Sequence, residues 1–214
     1  MSVVTLHGYW RSSAAYRVRI ALNLKGVDYA HVSHDLRTGE QRADDYLALA
    51  PHGLVPALAV GDLVLIESPA ILEWIEAKWP DPPLLPIGMD DAAIVRSMAA
   101  LIGCDVHPLN NLRVLNRLKE TFGATGDQAK VWVHHWIAQG FAALEQLVAR
   151  HGEAFAFGDR PTLADCYLVP QLYNARRFDM DLSPWPRLVA AGQAAARLPA
   201  FEAAHPDRQP DADR

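Results

Sequence analysis

Cysteine is scarce. Cys104 and Cys166 are the only two in 214 residues, they lie far apart, and they form no CxxC pair. Neither a disulfide framework nor a zinc site is indicated, and a reduced, cytoplasmic protein is the expectation. Long apolar runs are missing as well: none approaches the roughly 20 residues of a membrane span. No basic segment followed by an apolar one opens the chain, so no signal peptide is expected. Positive charge is not in excess, with 20 basic against 25 acidic side chains and a net charge of -5. That leaves no electrostatic footprint for nucleic acid. Repeats and low-complexity tracts are also absent. What is present is ordinary for a soluble globular protein: half of the residues are hydrophobic and 21% are charged. The length fits one large domain or two small ones.

The first 80 residues alternate between two periodicities. Val3–Leu6 reads as a buried strand. Ser12 or Ser13 then caps a helix whose apolar positions are Ala14, Val18, Ala21 and Leu22, and Gly26 stops it. Tyr29–Val32 is a second strand and Gln41–Leu49 a short helix. Val55–Val60 and Leu63–Ile66 are strands joined by the hairpin signal Gly61-Asp62. Ser68-Pro69 opens another helix, as a cap followed by proline, running to about Lys78. Pro80–Pro86, "PDPPLLP", is a proline-rich break. Beyond it Ala92–Leu118, Asp127–Arg150, Leu163–Arg177 and Trp185–Arg197 read as helices. "TLAD", Thr162–Asp165, has the form of a capping signature. The polar tail from His205 is expected to be loosely ordered. The expected domains are an α/β unit over 1–81, a linker over 82–87 and an all-helical unit over 88–214. This order of elements matches thioredoxin-like domains fused to helical bundles.

Five stretches carry polar groups where chemistry is plausible. The helix start at Ser12-Ser13 favours an anion, and a thiolate there is stabilised. No cysteine stands at this place, so such a thiolate must come from a ligand; the plain alternative is a cap. In "LVPAL", Leu54–Leu58, a cis proline would leave Val55 presenting its backbone to an extended peptide, while a trans proline is ordinary strand chemistry. In "IESPAI", Ile66–Ile71, Glu67 suits an ammonium and Ser68 a carboxylate, or the pair is only an N-cap. "CDVHPLNNLRVL", Cys104–Leu115, crowds Asp105, His107, Asn110, Asn111 and Arg113 into a segment that otherwise looks buried, with a kink at Pro108. They form either a structural network or the lining of a cleft facing the first domain. No metal site is expected, since Asp105 and His107 do not share a helical face. Arg176 and Arg177 end a helix, as dipole complements or as a carboxylate clamp.

Taken together these stretches resemble the zeta class of the glutathione transferases. The class signature SSCxWRVRIAL stands here as "SSAAYRVRIAL", Ser12–Leu22. "LVPAL", "IESPAI", "HPLNNLRVL", "TLADCYLVPQ", "NARRF" and "HPDRQPD" also resemble class motifs, in order and over nearly the whole chain. The resemblance implies the two-domain transferase architecture, an α/β thioredoxin-like N-terminal domain and an all-α C-terminal domain, with glutathione as cofactor and a second copy of the chain as partner in a homodimer. It implies Ser12, with Ser13, as the residues that hold a thiolate, and Gln41, Val55, Glu67, Ser68, His107, Asn111 and Arg113 as glutathione contacts. Arg177 matches the substrate-carboxylate position, with Arg11 and Arg176 beside it as candidates for a small dicarboxylate.

The activity implied is the cis–trans isomerisation of maleylacetoacetate to fumarylacetoacetate. A thiolate adds to the conjugated double bond, charge passes to an enolate oxygen, the bond rotates, and the thiolate leaves, so glutathione is regenerated. Maleylpyruvate as substrate, conjugation of glutathione to haloacids or other small electrophiles, and non-catalytic glutathione binding are the alternatives. This sequence departs from the class at Ala14, where the signature has cysteine, and at Tyr16, where it has tryptophan. A sulfur supplied by glutathione makes that cysteine dispensable. Leu112 replaces an arginine found in some maleylpyruvate isomerases, which favours maleylacetoacetate.

Overall fold

The computed structural model describes residues 3–213. The chain divides into two compact units: residues up to Leu84 together with those from Arg197 onward, and Leu85–Ala196 between them. The division after Leu84 falls inside the proline-rich stretch Pro80–Pro86. The stretch from Arg197 does not belong to the helical unit, as expected from sequence, but to the first unit.

In that first unit the strands are β1 (Val4–Gly8), β2 (Ala30–Ser33), β3 (Ala57–Val60) and β4 (Leu63–Ile66). They form a sheet of order β2-β1-β3-β4, with β1 parallel to β2 and the other pairs antiparallel. Helix α1 (Ser13–Leu24) is the crossover between the parallel pair. It ends as the glycine predicts. Gly26 takes φ 63°, and the N–H groups of Gly26 and Val27 return to the carbonyls of Asn23 and Leu22.

Every residue of α1 from Ser13 to Leu22 is buried, including Arg17 and Arg19. A helix buried all round must be covered on two sides. Here α3 (Ser68–Lys78) packs on it, and so does α9 (Pro199–Ala204), a helix not anticipated from the sequence. The tail is correspondingly ordered rather than loose. Gln209 is buried, and its amide donates to the carbonyls of Ala203 and His205 at 2.9 Å each.

Two further expectations change. Gln41–Leu49 is not one helix: a 3₁₀ turn at Glu40–Arg42 and α2 (Asp44–Leu49) are separated by Ala43, which is extended at ψ 147°. Ser68 is not the cap of α3. Glu67 occupies that position, at φ 67°, and Ser68 is the first helical residue.

The second unit holds α4 (Met89–Ala100), α5 (Leu112–Phe122), α6 (Gly126–His151), α7 (Leu163–Arg177) and α8 (Pro186–Ala196). The expected single helix over 92–118 is two helices. Leu101–Val106 widens into a π turn, with the N–H of His107 reaching the carbonyl of Ile102, and Pro108–Asn110 is a 3₁₀ turn. Proline at 108 explains the interruption, since it lacks the N–H that the helix needs. Met89–Phe122 is apolar and long enough to pass for a membrane span by composition. Its buried positions Val95, Met98, Ile102 and Val106 instead sit in the core of their own unit. Helix α7 is the central element, buried from Leu163 to Leu172. Its N-terminus is capped as "TLAD" predicts: Asp165 accepts from the N–H groups of Thr162 and Ala156, at 2.8 and 2.9 Å.

Candidate active site

The register of the sheet decides what meets in the first unit. His7 of β1 faces Ala57 of β3, and Ala57 faces Ile66 of β4. The chain leaves that row through Tyr9–Ser12 after β1 and through Glu67-Ser68 after β4, and enters it through Val55-Pro56 before β3. Three stretches singled out from sequence therefore emerge at one end of the sheet. Gln41 joins them from the 3₁₀ turn: a Cβ placed on Gly53 would lie 3.3 Å from its carbonyl oxygen. The Val55–Pro56 peptide is cis.

Ser12 is the N-cap of α1. Its Oγ accepts from the Ala15 N–H at 3.2 Å, and its own N–H donates to the Tyr9 carbonyl at 3.0 Å. A hydroxyl held as acceptor keeps its proton for donation. The helix start adds its positive end, with no acidic side chain in the first turn to cancel it. Ser13 is buried as the first helical residue. Arg11 is half-buried, its guanidinium 5.5 Å from the centre of the Trp10 ring.

Ser68 is 4% exposed and accepts from Arg17 Nη1 at 3.3 Å. Glu67 keeps an exposed carboxylate, 3.8 Å from His52 Nε2. Its positive φ is a costly backbone for a residue with a side chain, and such backbone gathers at functional sites. Tyr46 fixes the approach to Val55 by donating its phenol to the Leu54 carbonyl at 2.7 Å. Burial raises the Tyr46 pKa, so the donated proton stays on the phenol. Arg17, Tyr46 and His52 were not singled out from sequence as site residues. Only the "RVR" run hinted at Arg17, as charge inside an otherwise apolar helix.

In the second unit the polar cluster is less buried than the sequence suggested. Cys104, Asp105, Leu112 and Arg113 are exposed, while Val106, Asn110 and Leu115 are buried. His107 ends the π turn. Asn111 caps α5 through a bond from the Arg113 N–H at 3.1 Å, and the Arg113 side chain is free to face solvent. The turn is tied down by Trp132, whose indole donates to the Leu109 carbonyl at 2.8 Å. Arg176 and Arg177 stand exposed on another element, the last turn of α7. Just beyond them His134 Nε2 bonds the Phe178 carbonyl at 2.7 Å, and Lys130 pairs with Asp179 at 2.9 Å.

A sheet of this order, with a serine-capped helix at one end, and a separate helical unit are the architecture of the glutathione transferase class. Residues 2–77 match the glutathione S-transferase N-terminal domain, and 131–191 match the glutathione S-transferase C-terminal domain. A maleylacetoacetate isomerase of Pseudomonas aeruginosa is 51% identical, over 96% of this chain and 97% of its own. Among solved structures, a holo maleylpyruvate isomerase, a bacterial glutathione S-transferase of the zeta class, is 48% identical with a TM-score of 0.96, over 98% of this chain and 100% of its own. A maleylacetoacetate isomerase from Anaeromyxobacter dehalogenans 2CP-1, with dicarboxyethyl glutathione and citrate bound in its active site, is 45% identical with a TM-score of 0.90, over 99% of this chain and 94% of its own. This chain belongs to the glutathione S-transferase family, and within it to the zeta class.

Proposed function

We propose that this protein is a glutathione-dependent cis–trans isomerase that converts maleylacetoacetate to fumarylacetoacetate. The observation that carries the reading is Ser12, a hydroxyl oriented by the Ala15 N–H at the start of a buried helix. The residues present fit glutathione. A thiolate suits the Ser12 proton and the helix start. Val55 offers main-chain groups to a peptide, Glu67 a carboxylate to an ammonium, and Ser68 and Gln41 polar contacts. When bound, glutathione supplies the sulfur nucleophile that makes the double bond temporarily single and then leaves unspent.

The protein's own part is electrostatic and positional. Ser12 donates its hydroxyl proton and holds the sulfur ionised, with Ser13 placing the first N–H groups of the helix beside it. Arg17, beneath Ser68, fixes the hydroxyl of that serine. For a substrate carboxylate Arg177, with Arg176 beside it in the last turn of α7, is the candidate of the helical unit, and Arg11 is the candidate cation of the first unit. The planar fork of arginine suits this use. His107, Asn111 and Arg113 belong to the same reading as glutathione contacts. So do a cytoplasmic location and a homodimer, both supported by family membership. The domain limits of this reading follow the units: an α/β glutathione-binding unit and a helical substrate-binding unit.

The adduct in the Anaeromyxobacter relative supports the chemistry, because dicarboxyethyl glutathione joins a glutathione sulfur to a dicarboxylic acid. Maleylpyruvate is the second substrate to weigh, given the likeness to the holo maleylpyruvate isomerase. Against it stands Leu112, exposed at the first position of α5 where some maleylpyruvate isomerases carry arginine. The test is an assay of purified protein with each substrate and catalytic glutathione, reading double-bond geometry and remaining thiol. Conversion of maleylacetoacetate with the thiol unspent is expected. Loss of thiol without isomerisation would make the protein a conjugating transferase instead.

A further inference from the structure

The turn that carries Ser12 is held from the far end of the chain. Tyr9–Ser12 closes on itself through the Ser12 N–H and the Tyr9 carbonyl. Trp10, inside that turn, has both sides of its backbone fixed. Its carbonyl accepts from Arg19 Nη2 at 2.9 Å, and its N–H donates to Asp211 Oδ2 at 3.0 Å. The same Asp211 oxygen accepts from the Ser33 hydroxyl at 2.5 Å, which ties the turn to the end of β2. The other oxygen, Oδ1, lies 3.7 Å from His31 Nδ1. Burial lowers the His31 pKa, so the ring stands neutral beside the carboxylate at neutral pH.

The route by which Asp211 reaches this place is also fixed. Arg19 donates through Nε to the Ala204 carbonyl at 3.0 Å, and Asn23 donates to the Ala200 carbonyl at 2.9 Å, so α9 is fastened along α1. The 3₁₀ turn Pro206–Arg208 and the buried Gln209 reverse the chain toward the start of α1. Past Asp211, Asp213 pairs with Arg37 at 2.7 Å. Arg37 also holds Asp35 and lies 5.9 Å from the Tyr9 ring centre. Among the described residues, the Trp10 backbone is thus held from α1 through Arg19 and from the tail through Asp211.

We infer that Asp211 is a positioning residue for the isomerase reaction, a carboxylate on the C-terminal tail that sets the Ser12 turn and so aims the Ser12 hydroxyl at the glutathione sulfur. The inference rests on the glutathione-dependent reading above. A carboxylate accepting from a backbone N–H makes a strong, directional bond. Releasing it frees Trp10 and lets the turn drift. Misplacement of about 1 Å at a reacting group costs up to about a hundredfold in rate.

The experiment compares wild type, Ser12→Ala, Asp211→Ala and Asp211→Asn, all full length. It reads the pKa of bound glutathione from its ultraviolet thiolate absorbance, together with kcat and the KM for glutathione. Asp211→Ala should raise the thiol pKa by about one unit and lower kcat about tenfold, with KM moving far less. Asp211→Asn keeps an acceptor for the Trp10 N–H and should restore most of both. The sign is decisive. Removing a negative charge near the site by itself favours the thiolate and lowers its pKa, and a general charge effect would make the alanine and asparagine variants alike. A thiol pKa unchanged or lowered in Asp211→Ala overturns the inference. If Asp211→Ala does not fold, Asp211→Glu puts the same question, because it keeps the charge and only displaces the oxygens. Its thiol pKa should rise, and an unchanged value overturns the inference. Asp207→Ala, on the exposed side of the tail, serves as the control that should match wild type. If Ser12→Ala also leaves the thiol pKa where it was, the reading of Ser12 fails and this inference falls with it; if only the Asp211 variants do, this inference falls alone.

Discussion

At Ser12 the sequence and the structure meet most closely. A cap is a local matter, set by a residue and the three N–H groups that follow it, so it is legible from "SSAAY" alone. Removing its oxygen in Ser12→Ala should cut kcat about a hundredfold, the usual cost of a lost donor to a developing charge. Single-turnover rates would check this. Ala14→Cys restores the class residue at a buried position of the same turn. Because the reacting sulfur belongs to glutathione, activity should stay within about threefold, which is well under 1 kcal/mol of barrier. A large gain would show that the protein thiol takes part after all. The positive φ of Glu67 and the Arg17–Ser68 bond could not be read in advance. The bond joins residues 51 apart, and a positive φ at glutamate has no composition signal. Asp165 gives a pH prediction. Burial raises its pKa to about 6 despite the N–H groups it accepts. The folded state therefore holds the proton more tightly than the unfolded chain does. The stability this contributes is fully present below about pH 4 and is lost as pH rises through about 6. Denaturant midpoints across that range should show the decline for wild type and a flatter profile for Asp165→Asn. The asparagine, with one acceptor oxygen for two buried N–H groups, should also lose about 1–3 kcal/mol.

Among the elements, period and punctuation served well wherever a segment packs by its own pattern. Helices α1, α6 and α7 and the β3–β4 hairpin fall close to their expected limits. In two of the failures a distant element acts on the local outcome, in the second of them together with Pro108. The polar tail looks loose until Asp211 finds Trp10, 201 residues away. The long helix after the linker looks continuous until the π turn is seen packed under α6. That packing is close. A Cβ added to Gly140 of α6 would come within 2.1 Å of Val106 Cγ2. Gly140→Ala should therefore destabilise by about 1–3 kcal/mol through overpacking. Val106→Ala in the same chain should recover part of it. A double-mutant cycle on chemical denaturation would measure the coupling, and simple additivity would mean that the two positions do not press on each other.

For the whole molecule, the division into units does not follow the order of the chain. The α/β unit is built from both ends, and α1 is buried all round because α9 covers it as well as α3. Residues 1–84 alone should therefore melt broadly, with the α9 side of α1 left in water. A synthetic peptide of residues 197–213 added in trans should sharpen the transition and raise its midpoint. A cooperative, unchanged melt without the peptide would show that the unit needs no strap. This was the part of the architecture least open to a reading along the sequence. A proline-rich break marks where a unit pauses, but nothing in composition marks where it resumes.

That arrangement has a consequence for synthesis. The ribosome delivers the serine turn early and its anchor only after the whole helical unit has been made. A nascent chain can collect its four strands, yet the aim of Ser12 waits for Asp211. A product cut short by stalling or proteolysis would keep both glutathione-family signatures and still lack the fastening of its nucleophile site. Completion of the polypeptide is thus written into the geometry of the active centre.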